Sequence, residues 1–377
     1  MTKREQSAKE ATVADVARAA GVSKAQAARA LGSYGAVSEQ VLSRVVAAAE
    51  QLGYRPNQVA RSMTTGRSNS VGVVVGDIEN PHFGLALRGI SDEVRDVGYT
   101  VVLVNTDEDL AAESAAVQEL LQQRVAGLVV APCSSTETSH LESAQEAGRA
   151  VVLFDRAVRG AELDTVRVDF ADAALQAGRL LLDAGHRRVG YVSSLRVRGP
   201  YRLGMDLGLS PVADRVDGIA RAFREASAEW DPALVKLNAD SDEALAAACA
   251  ELLDSAEPAT AVVCSDSLIA LGVLGQIRLR SLRIPEDISV VAYDDFPWTE
   301  LIDPPLTVVA QPVYDMGREA ARALLRRLGH RVAAEQLPLR AHLVERASVG
   351  APPSAARAAG SPPRQAASGQ PTRTASA

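Results

Sequence analysis

Residues 12–31 read TVADVARAAGVSKAQAARAL, two short segments of helical periodicity separated by a glycine-led turn. Thr12 stands three residues before Asp15 with the spacing of a capping box, and Val13, Val16, Ala17 and Ala20 recur on one helical face. Gly21 supplies the backbone freedom for a sharp stop, Val22 plugs the angle between the helices, and Ser23 with Gln26 makes a second capping box. The second helix ends near Leu31, and its outer side carries long polar arms only at Lys24, Gln26 and Arg29. A slim rod of this kind fits a major groove, so the pair reads as a helix-turn-helix. A third helix, opened by Ser38 and closed by Gly53, offers Val41, Leu42, Val45, Val46, Ala49 and Leu52 to a small core.

An isolated pattern of this type also fits a helical hairpin on the surface of an enzyme, and charge separates the two readings. Residues 1–70 hold 10 Lys or Arg against 5 Asp or Glu, and the tail from 351 holds three Arg and no acid. The whole chain is at −7, which leaves residues 71–350 at −15. A basic head on an acidic body meets phosphate with one end only.

Between residues 70 and 350, apolar runs alternate with amphipathic segments, the pattern of parallel sheets wrapped by helices. Buried strands are predicted at Val71–Val75, Thr100–Val104, Gly127–Ala131 and Ala150–Phe154, with helices at Leu85–Val97, Ala111–Gln123 and Thr138–Ala147 between them. A second half is predicted to have strands at Arg188–Ser193, Ala261–Cys264 and Ser289–Tyr293. Its helices are expected at Ala171–Ala184, Arg215–Ala228, Glu243–Leu253 and Ser267–Ser281. Polar residues stand at the carboxyl ends of these strands: Asp155 and Arg156 after Phe154, Ser265 and Asp266 after Cys264, Asp294 after Tyr293. Carboxylates accept hydrogen bonds from adjacent hydroxyls and a guanidinium donates a fork of them, which suits a sugar or similar polyol.

Enzymatic readings find little. The chain has no glycine-rich phosphate loop with its lysine, no metal-ligand spacing among five scattered His, and no nucleophile elbow, so neither cofactor nor metal is expected. His186, just past the helix end at Gly185, reads with Arg187 and Arg188 as a complement to the helix dipole. Cys133, Cys249 and Cys264 lie in or beside apolar segments without close pairing, as in a reduced cytosol.

The chain resembles the lac repressor (LacI) and galactose repressor family. The resemblance is carried by Asp15-Val16-Ala17, Ala20-Gly21-Val22-Ser23, Arg29, Leu31, Gly53-Tyr54-Arg55-Pro56-Asn57 and Ala60-Arg61-Ser62-Met63. It continues through Asn80-Pro81-His82-Phe83, Phe154-Asp155-Arg156, Gly185-His186-Arg187-Arg188, Ile284-Pro285-Glu286-Asp287, Tyr293-Asp294-Asp295 and Gln311-Pro312, to about residue 350. It implies an α/β protein: a small all-α helix-turn-helix head (10–56), a hinge helix and linker (57–69), and a bilobal periplasmic-binding-protein-like core of two parallel-sheet subdomains (70–350). The segment after Trp298 is expected to return to the first half. Residues 351–377, rich in Ala, Pro, Ser, Gly and Arg, are read as a disordered tail.

The resemblance further implies a sequence-specific DNA-binding repressor, a homodimer on a pseudo-palindromic double-stranded operator, controlled by a sugar or sugar phosphate in the interlobe cleft. DNA contacts are expected from Thr12, Ser23, Lys24, Ala25, Gln26, Arg29, Tyr54, Asn57, Ala60, Arg61 and Met63, with Arg29 placed to fork onto guanine. Met63 stands where the family usually has a leucine wedge for the minor groove; it serves either as that wedge or as cover for the linker's junction with the core. Gln26-Ala27-Ala28 replaces the family's common Thr-Val-Ser.

Effector contacts are expected from Phe83, Asp155, Arg156, Arg215, Ser265, Asp294 and Trp298, the two aromatics serving either as stacking faces or as packing. Ser265, and Phe170 after Asp169, stand where asparagine is common in the family. The stretch from Leu195 to Ser210 is long, and its Arg196, Arg198 and Arg202 either answer an anionic effector or decorate a solvated loop. A sugar-binding protein of a transport system is the competing reading, because its core would look alike. The polar Met1–Glu10, with neither signal-peptide pattern nor membrane span behind it, favours the cytoplasmic regulator.

Overall fold

The computed structural model describes residues 11–32, 37–54, 68–208, 210–328 and 333–353. The hinge-helix expectation, with Asn57, Ala60, Arg61 and Met63, and all but three residues of the tail expectation lie outside these residues.

The head is three helices: α1 (Val13–Ala20), α2 (Lys24–Gly32) and α3 (Glu39–Gln51). Both capping boxes form. Thr12 N–H donates to Asp15 Oδ2 at 3.0 Å while Asp15 N–H returns to Thr12 Oγ1 at 3.4 Å. Gly21 ends α1 in the left-handed region at φ 65°, its N–H reaching back to the Ala17 and Arg18 carbonyls. The core is made of small side chains, Val16, Ala17, Ala20, Ala27, Ala30, Val45, Ala48 and Ala49, with Val22 and Tyr54 packed on it. Leu42, Val46 and Leu52, expected inside, are exposed. Leu42 and Val46 lie one position on from Val41 and Val45, more than a quarter-turn round the helix, and three short helices enclose too little space to cover that side.

The rest of the chain forms two six-stranded sheets. In the first, β1 (Ser70–Val75), β2 (Thr100–Asn105), β3 (Gly127–Val130), β4 (Ala150–Phe154), β5 (Asp164–Asp169) and β11 (Gln336–Arg340) run parallel in the order β11-β5-β4-β3-β1-β2. Helices α4 (Pro81–Arg95), α5 (Leu110–Gln122) and α6 (Ser139–Glu146) make the crossovers. β1 and β3 are almost continuously apolar because helices cover both faces of the sheet.

The second sheet has the order β12-β10-β9-β8-β6-β7. It is built from β6 (Val189–Val192), β7 (Val235–Lys236), β8 (Ala261–Cys264), β9 (Ser289–Tyr293), β10 (Thr307–Ala310) and an antiparallel edge strand, β12 (His342–Val344). Its helices are α7 (Ala171–Asp183), α8 (Ser210–Glu225), α9 (Asp242–Leu253), α10 (Ser267–Leu279) and the single turn α11 (Trp298–Leu301).

The expected return to the first half after Trp298 is corrected here. β10 stays in the second sheet, pairing with β9 from Thr307↔Val291 onward, because its buried Thr-Val-Val-Ala run completes that sheet beside its sequence neighbour. The chain returns with α12 (Val313–Arg327), which lies along α4 and over β4. It therefore crosses between lobes three times, after Asp169, around Gln311-Pro312 and at Ala341, and Ala341 N–H bonds Asp169 O at 3.3 Å.

Candidate functional site

In the head, Lys24, Ala25 and Arg29 of α2 are exposed on the side away from the alanine core, as are Thr12 and Ser23 at the two helix starts. Gln26 is turned back: its Oε1 accepts from Ser23 N–H and Ser23 Oγ, each at 3.1 Å. The carboxamide is thereby committed to capping α2, so Lys24 and Arg29 are the long arms that face outward. Tyr54 packs half-buried on the core, its N–H bonded to Ala49 O at 2.8 Å.

Between the two sheets lies a cleft of about 830 Å³, within the usual range for small-molecule sites. Two aspartates enter it from matching places. Asp155 follows β4 and Asp294 follows β9, both with left-handed backbones at φ 66° and 74°. Each is pinned by its own N–H to the neighbouring strand, Asp155 to Val166 O at 2.9 Å and Asp294 to Val309 O at 3.0 Å. Asparagine and aspartate tolerate this conformation best after glycine, and here it directs both carboxylates off the sheet ends into the gap.

A buried polar chain joins them. His82 Nε2 lies 3.1 Å from Asp155 Oδ1, and His82 Nδ1 lies 3.4 Å from Gln311 Nε2, which donates to Asp294 Oδ1. His82 is placed by Asn80, whose Oδ1 caps α4 by accepting from His82 N–H at 3.0 Å, and Gln311 sits where the chain crosses between lobes. Burial opposes charge on His82, but the Asp155 carboxylate beside it outweighs this, with help from Asp294, and raises its pKa above the ordinary value. Burial opposes the Asp155 charge too; His82, then Arg156 and Arg215, nevertheless hold that carboxyl well below the usual range.

Arg215 of α8 is buried between aromatic faces, its guanidinium carbon 4.2 Å from the Phe170 ring centre and 4.5 Å from that of Tyr293. One of its N–H groups donates to Ser265 O at 2.6 Å. Ser265 Oγ donates to Asp266 Oδ2 at 2.7 Å, and Asp266 caps α10 through the Leu268 and Ile269 N–H groups. Arg156 spans from Asp155 to Glu108, which it grips with two N–H groups at 2.5 and 2.7 Å.

The cleft thus gathers Phe83, Asp155, Arg156, Arg215, Ser265 and Asp294. Trp298 is the exception: it packs on the second lobe's core outside the cleft, its indole N–H donating to Ser267 Oγ at 3.2 Å. At the start of α11 it is held there by that bond and by its packing on the second-lobe core.

Sequence reasoning found Asp266 at its strand end but missed His82, Gln311 and Glu108 as cleft groups, and the support behind the wall. Glu113 of α5, fully buried, accepts the Cys133 N–H at 2.6 Å and lies 2.6 Å from His140 Nε2, fixing the segment that lines the first-lobe side. Burial pushes the Cys133 thiol up to about 12, which leaves it a poor nucleophile. The expected dipole role of His186 gives way to a structural one: its ring nitrogens bond Thr260, Ser289 and Gly350 O. Among the described residues there is no candidate metal cluster and no helix long and apolar enough to cross a membrane.

A helix-turn-helix head joined to a two-lobed core with a polar interlobe cleft defines a ligand-responsive DNA-binding regulator. Residues 12–57 match the bacterial regulatory proteins of the lacI family and residues 178–349 match the periplasmic binding protein-like domain. The ribose operon repressor of Bacillus subtilis (strain 168) is 34% identical over 316 residues, 84% of this chain and 91% of that protein. The HTH-type transcriptional repressor CytR of Escherichia coli (strain K12) is 32% identical over 84% of this chain and 89% of its own length. A solved LacI family transcriptional regulator from Enterococcus faecium, with bound ribose, is 29% identical, covers 74% of this chain and 98% of its own, and superposes with a TM-score of 0.64. The chain belongs to the lacI family. It is a DNA-binding transcriptional regulator, not an enzyme.

Proposed function

We propose that this protein is a cytoplasmic repressor that binds a pseudo-palindromic operator as a homodimer and is controlled by a sugar or sugar derivative in its interlobe cleft. Lys24, Ala25 and Arg29 read bases in the major groove, with Thr12, Ser23 and Tyr54 supporting the approach and Asn57, Ala60, Arg61 and Met63 following it into the minor groove. Asp155, Arg156, Arg215, Ser265 and Asp294 hold the effector's hydroxyls, and Phe83 forms an apolar wall.

The observation that carries this reading is the pair Asp155 and Asp294, one from each lobe, joined through His82 and Gln311 at an interlobe crossing. A ligand bonded to both carboxylates favours one lobe arrangement over another, and only that difference in affinity can change the head's grip on DNA. The relatives support it by name, two being repressors and one a regulator with ribose bound.

The test is binding of the purified protein to the promoter region flanking its own gene, at fixed salt, across a panel of sugars and sugar phosphates. Salt-resistant, sequence-specific binding that one compound shifts is the expected result. Binding that tracks salt alone and ignores every compound overturns the proposal.

A further inference from the structure

Nine of the side chains lining the cleft are carboxylates and three are guanidiniums. Two of the three guanidiniums are answered by carboxylates. Arg196 bonds Asp240 at 2.6 Å, whereas Arg215 gives one N–H to Ser265 O at 2.6 Å, has no carboxylate within ion-pair distance among the described residues and keeps a buried Nε without a hydrogen bond. Arg156 is gripped hardest: its side chain is 11% exposed, both terminal nitrogens are forked onto Glu108, and one also reaches Pro132 O at 3.3 Å. The other arginines of the long second-lobe segment, Arg198 and Arg202, are exposed and do not line the cleft, so the anion-answering role open to them from sequence falls away.

The fork is built into the backbone. Asp107 and Glu108 are both left-handed, at φ 51° and 58°, and Glu108 N–H donates to Gly76 O at 3.2 Å. A Cβ on Gly76 would stand 2.1 Å from a Glu108 carboxylate oxygen, so glycine there is what leaves room for the carboxylate to lie over Arg156.

We propose that Glu108 is a specificity-determining residue: by occupying Arg156 it commits the cleft to uncharged polyhydroxyl effectors and rejects the phosphate esters of the same sugars. The inference deepens the sugar-effector reading above and rests on it. A phosphate ester brings a charge between −1 and −2 and needs a guanidinium fork to offset its desolvation. Here it must displace Glu108 from Arg156 or rely on Arg215 alone among nine lining carboxylates, and like charges in contact are strongly unfavourable. A neutral polyol meets no such conflict, because ionised carboxylates accept its hydroxyl protons.

Titration calorimetry on the full chain tests this, using inorganic phosphate together with ribose, glucose and galactose and their phosphate esters. Wild type is expected to give no saturable phosphate binding and to take a neutral sugar about tenfold or more tighter than its ester. Glu108→Gln, which keeps the shape and removes the charge, is expected to gain phosphate binding, and Glu108→Asp to go on rejecting it. Wild-type binding of phosphate, or of an ester as tightly as its parent sugar, overturns the proposal, as does a folded Glu108→Gln that rejects phosphate like wild type. If wild type takes none of the sugars, the sugar reading fails; the phosphate titrations of wild type and Glu108→Gln still decide the role of Glu108.

Discussion

His82 and Asp155 face each other in a space nearly closed to water, each shifting the other toward its charged form. The linkage has a definite sign. Because the His82 pKa is raised on folding, its contribution is complete below the ordinary value of 6.5 and fades as pH rises through the folded-state value. The Asp155 contribution, from a lowered pKa, is present above the ordinary carboxyl range and fades only as pH falls through its depressed value. Thermal unfolding of wild type and His82→Asn should therefore show a wider gap in Tm at about pH 6 than at about pH 9; a gap independent of pH contradicts the charged pair. Asp155 and Asp294 were legible in the sequence because an aspartate directly after a buried apolar run marks a strand's carboxyl end. His82 and Gln311 were not: the packing of the first lobe brings His82 beside Asp155, more than 70 residues on, and a lobe crossing brings Gln311 beside His82, more than 200 residues away. Gln26 carried two readings, cap and DNA arm, and hydrogen bonding to Ser23 selects the cap in the DNA-free chain.

The first lobe depends on how closely α4 and α12 approach. A Cβ on Gly89 would stand 2.2 Å from Tyr314 O, and one on Gly317 would stand 2.0 Å from Ala86 O, so the two helices touch backbone to backbone at reciprocal glycines. Glu93 on α4 then reaches Arg318 at 3.3 Å and Arg322 at 3.0 Å on α12. Gly317→Ala must push the helices apart and should cost about 1–3 kcal/mol in urea denaturation. Gly275→Ala, in α10 with nothing within 4 Å of the new Cβ, should be neutral or stabilising by helix propensity. Equal effects at the two sites would remove the close-approach argument. The crossover helices and the strands β1, β3, β4, β6, β8 and β9 were readable from their apolar runs, as was the edge strand β2; β5 and β10, inside their sheets, and the edges β7, β11 and β12 were not. β11 alternates exposed and half-buried residues and holds Pro338, which an edge strand tolerates, while β12 is only three residues long. Such strands exist because a neighbour offers them a ladder, and that information is not local.

Three crossings make the two lobes a hinged pair, and the polar chain from Asp155 to Asp294 runs through one of them. In the function proposed above, ligand and lobe angle are coupled at that point, and the residues proposed to hold the effector also report its presence to the head. The family resemblance read from the chain's motifs anticipated a bilobal core, but it sent the segment after Trp298 back to the first half one strand too early, since β10 and α12 are separated by only Gln311 and Pro312 yet serve different lobes. The most direct measurement is operator affinity of wild type and Asp294→Asn, with and without the sugar that shifts the wild type. The account predicts equal ligand-free affinities, a shift of about tenfold or more on adding sugar to wild type, and no shift in the variant. An Asp294→Asn protein that still answers the sugar like wild type would contradict control of DNA binding through the cleft.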